Sequence, residues 1–495
     1  MRKSGILMHI SSLPSPYGIG TMGKAAREFV DFLQAAGQSL WQMLPICPTS
    51  YGDSPYQSYS TYAGNPYFID LEELEQAGLL EASDYADTDW ENEPGRVNFG
   101  ALYEKRYAIL RKAAERFAAQ PPEDFAEFCE QNRQWLKDFA LFMTLKDLHQ
   151  GAPWWEWQEA FRNADESALA EIETQHTRKV LFWKILQYLF FRQWKELKEY
   201  ANRKGISIIG DLPIYVSLDS VDVWRHPKLF QLDENKVPKE VAGCPPDGFS
   251  ADGQLWGNPL YDWDYMAADG YKWWVKRISY LCRVYDILRI DHFRGFDSYY
   301  AIPYGSETAA VGYWKKGPGM ELFQAVERAI GKQPIIAEDL GFLTESVKEL
   351  LKDSGFPGMK VLEFGFDRRD ASTIEYLPHS YIKNCVAYAG THDNEPILGW
   401  METANPEDVA YAKAYLHLTE EEGYHWGMMR ALWSSVAEVT IVQAQDILGL
   451  GSDTRMNTPS TVGRNWQWRA LPGVFTGELA QKLHQQMDIY KRIAK

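Results

Sequence analysis

Short apolar runs and amphipathic helical segments alternate along almost the whole chain. The first run, "GILM" at residues 5–8, is followed by "AAREFVDFLQAAG" at 25–37, where apolar residues recur at helical spacing and a glycine ends the pattern. Seven further apolar runs have the length of strands: residues 40–45, 206–211, 285–291, 334–339, 359–364, 384–393 and 439–446. Helical segments at 319–331 and 344–355 lie between successive runs. The pattern predicts eight strand–helix units.

Strands that are apolar along their whole length are typical of a parallel sheet covered by helices on both faces. Eight such units can close into a (β/α)8 TIM barrel, which is the α/β fold that we predict. A doubly wound open sheet is the alternative, but no GxGxxG motif follows the first strand.

Two intervals between predicted strands are too long for simple connecting loops. The interval between the second and third strands contains long helical segments, at 101–119 and 125–149. We therefore predict a mainly helical insertion subdomain at 71–180, within a barrel domain that spans 1–495. The interval between the third and fourth strands is rich in Pro, Gly and Trp. It predicts a loop-rich insertion at 212–284 that covers the active site.

Charge and cysteine content limit the partners and the compartment. The net charge of −17 argues against nucleic acid or an anionic membrane as the main partner, because both require clustered Lys and Arg. The five cysteines are scattered and include no CxxC, which indicates a reducing compartment. The first apolar stretch is too short for a signal peptide, and no apolar segment has the length of a membrane span. We expect a soluble, cytoplasmic protein that is a monomer or a weak homo-oligomer.

Charged residues stand at the ends of most of the predicted strands. They are Asp211, Asp291, Glu338 with Asp339, His392 with Asp393, and Asp446, at the ends of the third, fourth, fifth, seventh and eighth runs. In a TIM barrel these ends form one rim, where active sites are found. Any single residue of this set could be a salt bridge at a strand end. Several like charges at one rim cost free energy unless they bind something, so the pattern predicts a catalytic carboxylate site.

The motif "DILRIDHFRGF" at 286–296 indicates which reaction that site catalyses. Arg289 and Asp291 are two residues apart on a strand, so their side chains share a face. The guanidinium favours the ionised form of Asp291 and orients it. Glycosidic chemistry uses one ionised carboxylate that attacks the anomeric carbon and one protonated carboxyl that donates to the leaving oxygen. Glu338 follows the apolar run "PIIA", where desolvation would raise its pKa, and Asp393 would be a third carboxylate.

Two loops at 49–68 and 241–263 carry many aromatic residues among small polar ones. Flat apolar faces next to hydrogen-bonding groups suit pyranose rings, which have an apolar face and a rim of hydroxyls. About half of these aromatic residues would serve only to pack their loops. We predict that Tyr56 and Trp256 contact sugar.

Motifs for other chemistries are absent from the sequence. It contains no HExxH, no GxxxxGK[ST] and no GxSxG, and the ten histidines do not have the close spacing of metal ligands. A metal site at His392 and Asp393 is the remaining alternative. We expect neither a metal nor a cofactor.

Several long motifs carry a resemblance to a known family. They are "SSLPSPYGIG", "GDSPYQSYSTYAGNP", "GDLPIYVSLDSVDVW", "VAGCPPDGFS", "GQLWGNPLYDW", "RIDHFRGF", "IIAEDLG", "GTHDNE" and "LGLGSDTRMNTPSTVGRNW". Over nearly its whole length the chain resembles the 4-α-glucanotransferases, also called amylomaltases or disproportionating enzymes, of the α-amylase clan. The resemblance implies a barrel with inserted subdomains. It also implies transfer of a 4-α-glucanosyl segment from one α-1,4-glucan or maltooligosaccharide to the 4-OH of another glucan or of glucose.

The resemblance also implies roles for individual residues. Asp291 matches the nucleophile, Glu338 the general acid and base, and Asp393 the residue that stabilises the transition state by holding sugar hydroxyls. The other implied contacts are Asp211, Arg289, His392 and Tyr56 with the reacting glucosyl unit, Ser54 and Asn465 with the acceptor, Trp256 and the loop 245–250 (Pro246, Asp247, Phe249) over the cleft, and Tyr51 with a second, non-catalytic glucan.

The chain departs from the family pattern in small ways. Glu395 and Pro396 stand where Asp and Thr are more frequent in the family, and "DLPIYV" stands where α-amylases have "DxxxNH".

An α-1,4-glucan hydrolase with the same three carboxylates is the nearest alternative function. A glucan-binding protein with an inactive site is the second, and the intact Asp291, Glu338 and Asp393 argue against it.

Overall fold

A closed barrel of eight parallel strands forms the centre of the molecule in the computed structural model, which describes residues 2–50, 52–91, 93–246, 252–341, 343–369 and 371–493. The strands of these residues, in chain order, are β1 (Lys3–Leu7), β2 (Leu40–Gln42), β3 (Ser207–Leu212), β4 (Glu240–Cys244), β5 (Gln254–Pro259), β6 (Ile287–Ile290), β7 (Ser298–Pro303), β8 (Tyr313–Lys316), β9 (Ile335–Ala337), β10 (Gly358–Val361), β11 (Cys385–Tyr388) and β12 (Val439–Gln443). The order around the barrel is β1–β12–β11–β10–β9–β6–β3–β2. All eight predicted strands are present, and the predicted fold class is confirmed.

Helices surround the barrel and fill the long interval after β2. In the described residues they are α1 (Lys24–Ala35), α2 (Leu71–Gln76), α3 (Phe99–Ala101), α4 (Tyr107–Ala119), α5 (Asp124–Gln131), α6 (Arg133–Leu148), α7 (Glu159–Arg162), α8 (Glu166–Gln175), α9 (Thr177–Arg203), α10 (Val221–Arg225), α11 (Trp263–Ala268), α12 (Lys272–Val284), α13 (Met320–Ile330), α14 (Glu345–Ser354), α15 (Ile397–Thr403), α16 (Pro406–Leu416), α17 (Tyr424–Ser434), α18 (Ala444–Leu448) and α19 (Gly477–Ile489).

The predicted helix ends agree with the local chemistry of the chain. The side chain of Thr344 accepts a hydrogen bond from the Val347 N–H and caps α14. The same helix ends at Gly355, whose φ of +69° lies in the left-handed region that glycine adopts without steric cost. The segment 125–149 was expected to be one helix, but it is divided into α5 and α6 at Asn132.

The interval between β2 and β3 is mainly helical. Its last helix, α9, packs on the barrel: Gln187 exchanges two hydrogen bonds with the backbone of Gly64, and the Trp194 indole donates to the carbonyl of Val284. The predicted boundary at residue 180 therefore lies inside α9. Treatment of residues 71–180 as a separate subdomain stays a prediction.

The interval at 212–284 contains more regular structure than its composition suggests. It holds β4, β5, α10, α11 and α12, and β4 and β5 join β7 and β8 in an antiparallel sheet of order β5–β4–β7–β8. Strands β7 and β8 follow β6 in the chain and were not predicted from the sequence. This small sheet carries Trp256 on β5, next to the end of β6.

The barrel register determines which residues meet at the rim. β3 and β6 are neighbours, and Asp211 lies directly opposite Arg289 in their register. On the other side of β6, Ile290 lies opposite Ala337 of β9, so Glu338 follows at the same level as Asp291. Among the described residues, no helix is long and apolar enough to cross a membrane.

Candidate active site

Asp211, Arg289 and Asp291 form a connected group at the carboxyl ends of β3 and β6. Arg289 Nη1 donates to Asp211 Oδ1 at 2.8 Å and to Asp211 Oδ2 at 2.6 Å, and it also contacts Asp291 Oδ1 at 3.1 Å. The side chain of Asp211 is 1% exposed and that of Arg289 is 5% exposed. The predicted pairing of Arg289 with Asp291 is present, and Asp211 is its second and closer partner.

The surroundings of Asp291 favour its protonated form. Burial raises the pKa of Asp291 well above its ordinary value, Arg289 lowers it, and the charges of Asp211, Glu338 and Asp393 raise it again. Arg289 acts in the expected direction, but its guanidinium lies closer to Asp211 than to Asp291. One arginine thus interacts with several acidic residues. This group retains a proton more readily than an isolated Asp291–Arg289 pair would.

Glu338 lies one residue beyond β9 and accepts two backbone hydrogen bonds. The N–H of His292 donates to Oε2 at 2.6 Å, and the N–H of Leu340 donates to Oε1 at 3.0 Å. Burial raises the pKa of Glu338, as expected from the apolar run before it, while Arg289 and the two N–H groups oppose the change. Each carboxyl oxygen has two lone pairs, so one N–H per oxygen leaves room for a proton.

His292 turns the chain so that its N–H faces Glu338. Its φ of +50° and ψ of 51° lie in the left-handed region, which is unfavourable for a side chain with a Cβ. Such strain persists where the surrounding contacts determine the conformation, and it is frequent at active sites. The imidazole packs edge-on against Trp256, with ring centroids 4.9 Å apart. Burial lowers the pKa of His292 to about 3, so the ring is neutral.

Asp393 follows β11 and is more accessible than Asp291. Its side chain is 44% exposed, against 27% for Asp291. Asn457 Nδ2 donates to Asp393 Oδ1 at 2.6 Å, and His392 Nε2 lies 3.3 Å from the same oxygen. Asn457 comes from the segment after β12 and α18, and this contact was not predicted.

Tyr56, His392 and Trp466 form an aromatic group beside the carboxylates. The rings of Tyr56 and His392 stack at 5.1 Å with an interplanar angle of 13°, and Trp466 lies 5.9 Å from each of them. The Tyr56 hydroxyl donates to Asp211 Oδ2 at 2.8 Å. Burial lowers the pKa of His392, so a neutral ring stacks on Tyr56. Trp466, with a left-handed φ of +66°, was not predicted; its neighbour Asn465 was.

Ser54 and Asn465, which were predicted to contact the acceptor, form hydrogen bonds within their own loops. Ser54 accepts the Tyr56 N–H at 3.2 Å, and Asn465 bonds within its own loop, accepting from the Thr458 N–H at 3.0 Å. Trp256 is half-buried, and Pro246 is exposed. Tyr51, Asp247 and Phe249 lie outside the described residues.

Two of the strand-end carboxylates take no part in this contact network. Asp339 accepts a hydrogen bond from the Met359 N–H at 2.6 Å, and Asp446 accepts one from the Ile397 N–H at 2.7 Å. Both side chains are buried and tie the end of a strand to neighbouring backbone. The site is therefore built around Asp211, Asp291, Glu338 and Asp393.

Comparisons with known proteins identify the family of this chain. A family model described as 4-alpha-glucanotransferase matches residues 8–473. The chain belongs to the 4-alpha-glucanotransferase family. It is 50% identical over 487 residues to a 4-alpha-glucanotransferase of Clostridium butyricum, covering 98% of this chain and all of the relative. It is 44% identical to that of Thermus thermophilus, covering 99% of both chains.

A solved structure of the family has nearly the same fold. Amylomaltase from Streptococcus agalactiae in complex with acarbose matches with a TM-score of 0.97 and 44% identity, and both chains are covered completely. The resemblance inferred from the motifs and the enzyme class that it implied are confirmed. The hydrolase alternative is not favoured, since the curated relatives are transferases.

Proposed function

We propose that this 4-alpha-glucanotransferase moves α-1,4-glucan segments between maltooligosaccharides by two displacements at the rim of its barrel. The contact group of Asp211, Arg289 and Asp291, with Glu338 at the same level at the end of the neighbouring strand, carries the proposal. Two displacements give retention of configuration at the anomeric carbon, which transfer from one α-1,4 bond to another requires.

In the first displacement, the Asp291 carboxylate attacks the anomeric carbon of the donor. The glycosidic C–O bond breaks as a bond to Asp291 forms, and the departing 4-oxygen takes the proton of Glu338. Binding of the glucan must leave Asp291 ionised and Glu338 protonated. Two features support this division: the arginine contact favours the ionised form of Asp291, and burial raises the pKa of Glu338.

In the second displacement, the acceptor resolves the glucosyl-enzyme. The Glu338 carboxylate takes the proton of the acceptor 4-OH. The acceptor oxygen then attacks the anomeric carbon, and Asp291 leaves as a carboxylate. We assign Asp393 to the sugar hydroxyls of the reacting unit, where an accessible, oriented carboxylate can strengthen hydrogen bonds as charge develops. Asp211, Arg289, His392 and Tyr56 would hold the same sugar ring.

Transfer instead of hydrolysis requires that an acceptor sugar reaches the intermediate before water does. We assign Ser54 and Asn465 to the acceptor, and Trp256 with Pro246, Asp247 and Phe249 to the covering loop. A bound, oriented sugar has a high effective concentration, and a covered site excludes competing water. We keep the second glucan contact at Tyr51, the cytoplasmic location and the monomeric or weakly oligomeric state as proposals that rest on the sequence.

The experiment that tests the function is chromatography of the products formed from maltotriose alone. Transfer conserves the number of α-1,4 bonds, so glucose and a ladder of longer oligomers should form while total reducing ends stay nearly constant. The Asp291→Asn variant is the control and should form neither. A rise of reducing ends in step with maltotriose consumption, without oligomers longer than the substrate, would identify a hydrolase.

A further inference from the structure

The loops after β11 and β12 meet around one arginine that the mechanism above does not use. Asp393 stands in the loop after β11, and among the described contacts its carboxylate is oriented by Asn457 and His392. A residue that must hold sugar hydroxyls in the transition state needs a fixed position, because a displacement of about 1 Å can cost about 100-fold in rate. The loop that carries Arg455 and Asn457 makes the contacts that hold Asp393 in position.

Arg455 makes three separate contacts with this region. Its Nε donates to the carbonyl of Asn457 at 2.8 Å, its Nη1 donates to Glu395 Oε1 at 2.8 Å, and its Nη2 donates to the carbonyl of Asp393. The guanidinium thus binds the backbone of Asp393 and the backbone of the asparagine that holds the Asp393 carboxylate. The N–H of Asn457 also donates to the carbonyl of His392, which adds a direct bond between the loops.

Glu395 keeps the guanidinium in place. The side chains of Arg455 and Glu395 are only 20% and 19% exposed, so their ion pair is partly shielded from solvent. A planar guanidinium with fixed donor directions can satisfy three acceptors at once, whereas a lysine ammonium cannot reproduce that arrangement. Glu395 is one of the positions where the chain departs from the family pattern, and its longer side chain reaches Arg455.

We propose that Arg455, held by Glu395, is a positioning residue that fixes Asp393 for the transition state. Arg455 does not touch the reacting atoms; it acts through the Asp393 carbonyl and through Asn457. The inference rests on the role proposed above for Asp393. It predicts that Arg455 contributes to kcat and contributes little to ground-state binding.

The test is a double-mutant cycle in the full-length enzyme. Arg455→Ala should lower kcat for transfer at least about 10-fold and change KM less than about 3-fold. In the Asp393→Asn background the same substitution should cost less than about 3-fold, because the group that it positions is already impaired. Arg455→Lys should recover only part of the loss. Arg430→Ala removes a matched arginine–glutamate pair, with Glu422, outside the described site contacts, and should change neither background.

Equal losses from Arg455→Ala in the two backgrounds, or an unchanged kcat, would overturn the inference. A crystal structure of Arg455→Ala gives a readout that is independent of activity. It should show the loop of Asp393 displaced and the Asn457–Asp393 hydrogen bond broken, and an unmoved loop would also overturn the inference. If Arg455→Ala does not fold, Arg455→Lys provides the same comparison. A wild-type enzyme that forms no transfer products would contradict the proposed function and leave the structural readout to decide the positioning role.

Discussion

Arg289 binds Asp211 more closely than it binds Asp291. Its Nη1 lies 2.6 and 2.8 Å from the two Asp211 oxygens and 3.1 Å from Asp291 Oδ1. Because the register places Asp211 opposite Arg289 on neighbouring strands, this geometry is built into the barrel. The positive charge is shared, and the protonation of Asp291 therefore depends on Asp211.

Asp211→Asn should shift the acid limb of the pH profile to lower pH. The Asp211 charge raises the pKa of Asp291, and its removal frees Arg289 to stabilise ionised Asp291. Activity requires ionised Asp291 and is lost as the pH falls through this pKa, so a lower pKa moves the loss to lower pH. The measurement is the acid midpoint of kcat/KM with α-glucosyl fluoride as donor. Total activity should fall as well, since Asp211 is also assigned to the sugar. An acid limb that stays in place or moves upward would contradict the coupling.

Glu338→Gln should separate the roles of the two catalytic carboxyls, Asp291 and Glu338. The variant should not transfer between maltooligosaccharides, because the departing sugar oxygen receives no proton. It should still be glucosylated by α-glucosyl fluoride, whose leaving group needs no protonation. Peptide mass spectrometry should find the adduct on Asp291. An adduct on Asp393, with Asp291 unmodified, would reverse the assignment.

Trp256→Ala should weaken substrate use without changing the bond that is cleaved. The half-buried indole packs against His292 on one side of the site and can present its remaining surface to a sugar. Loss of one stacking contact is worth about 1–3 kcal/mol, or about 5- to 150-fold in kcat/KM. Trp256→Phe should retain most of the activity. Unchanged kinetics for Trp256→Ala would show that the residue only packs its loop.

Asp446 should make the protein less stable as the pH rises. Burial raises the pKa of Asp446 from 3.8 to about 7 in the folded protein. The folded state thus holds its proton more tightly than the unfolded state, and stability falls between about pH 4 and pH 7, by at most about 4 kcal/mol. Asp446→Asn keeps an acceptor for the Ile397 N–H and carries no charge. The midpoint of thermal unfolding should fall less between pH 5 and pH 8 in the variant than in the wild type. Equal pH dependence in both would contradict this prediction.

The barrel could be predicted because its strands are local and apolar. Each parallel strand is buried on both faces, so the apolar run is visible without knowledge of its partner. Strands β7 and β8 were missed because they belong to a separate antiparallel sheet. The partner of β7 is β4, which lies more than 50 residues earlier in the chain, and the aromatic residues of β8, Tyr313 and Trp314, are exposed like those of a loop.

The part of the site that consists of side chains at strand ends could be predicted from the sequence. Asp211, Arg289, Asp291 and Glu338 meet because the strand order and register bring them together. The N–H of His292 and the side chain of Asn457 were missed for a physical reason. The first depends on a left-handed backbone turn, and the second depends on the path of a loop from a different strand; neither follows from composition or spacing.

Asn465→Ala should raise the ratio of hydrolysis to transfer. The amide of Asn465 now bonds the backbone of its own loop at Thr458 and Thr461, and it stands next to Trp466, which packs on Tyr56 and His392. If the amide also orients the acceptor, its loss lowers the effective concentration of the acceptor at the glucosyl-enzyme and leaves formation of that intermediate nearly unchanged. When maltotriose is the substrate, free glucose and total reducing ends should then rise. The rate of glucosylation by α-glucosyl fluoride should not change. Thr461→Val removes one hydroxyl partner of the Asn465 amide and serves as the control for loop packing. Equal losses of glucosylation and transfer in Asn465→Ala, matched by Thr461→Val, would show that Asn465 only supports its loop.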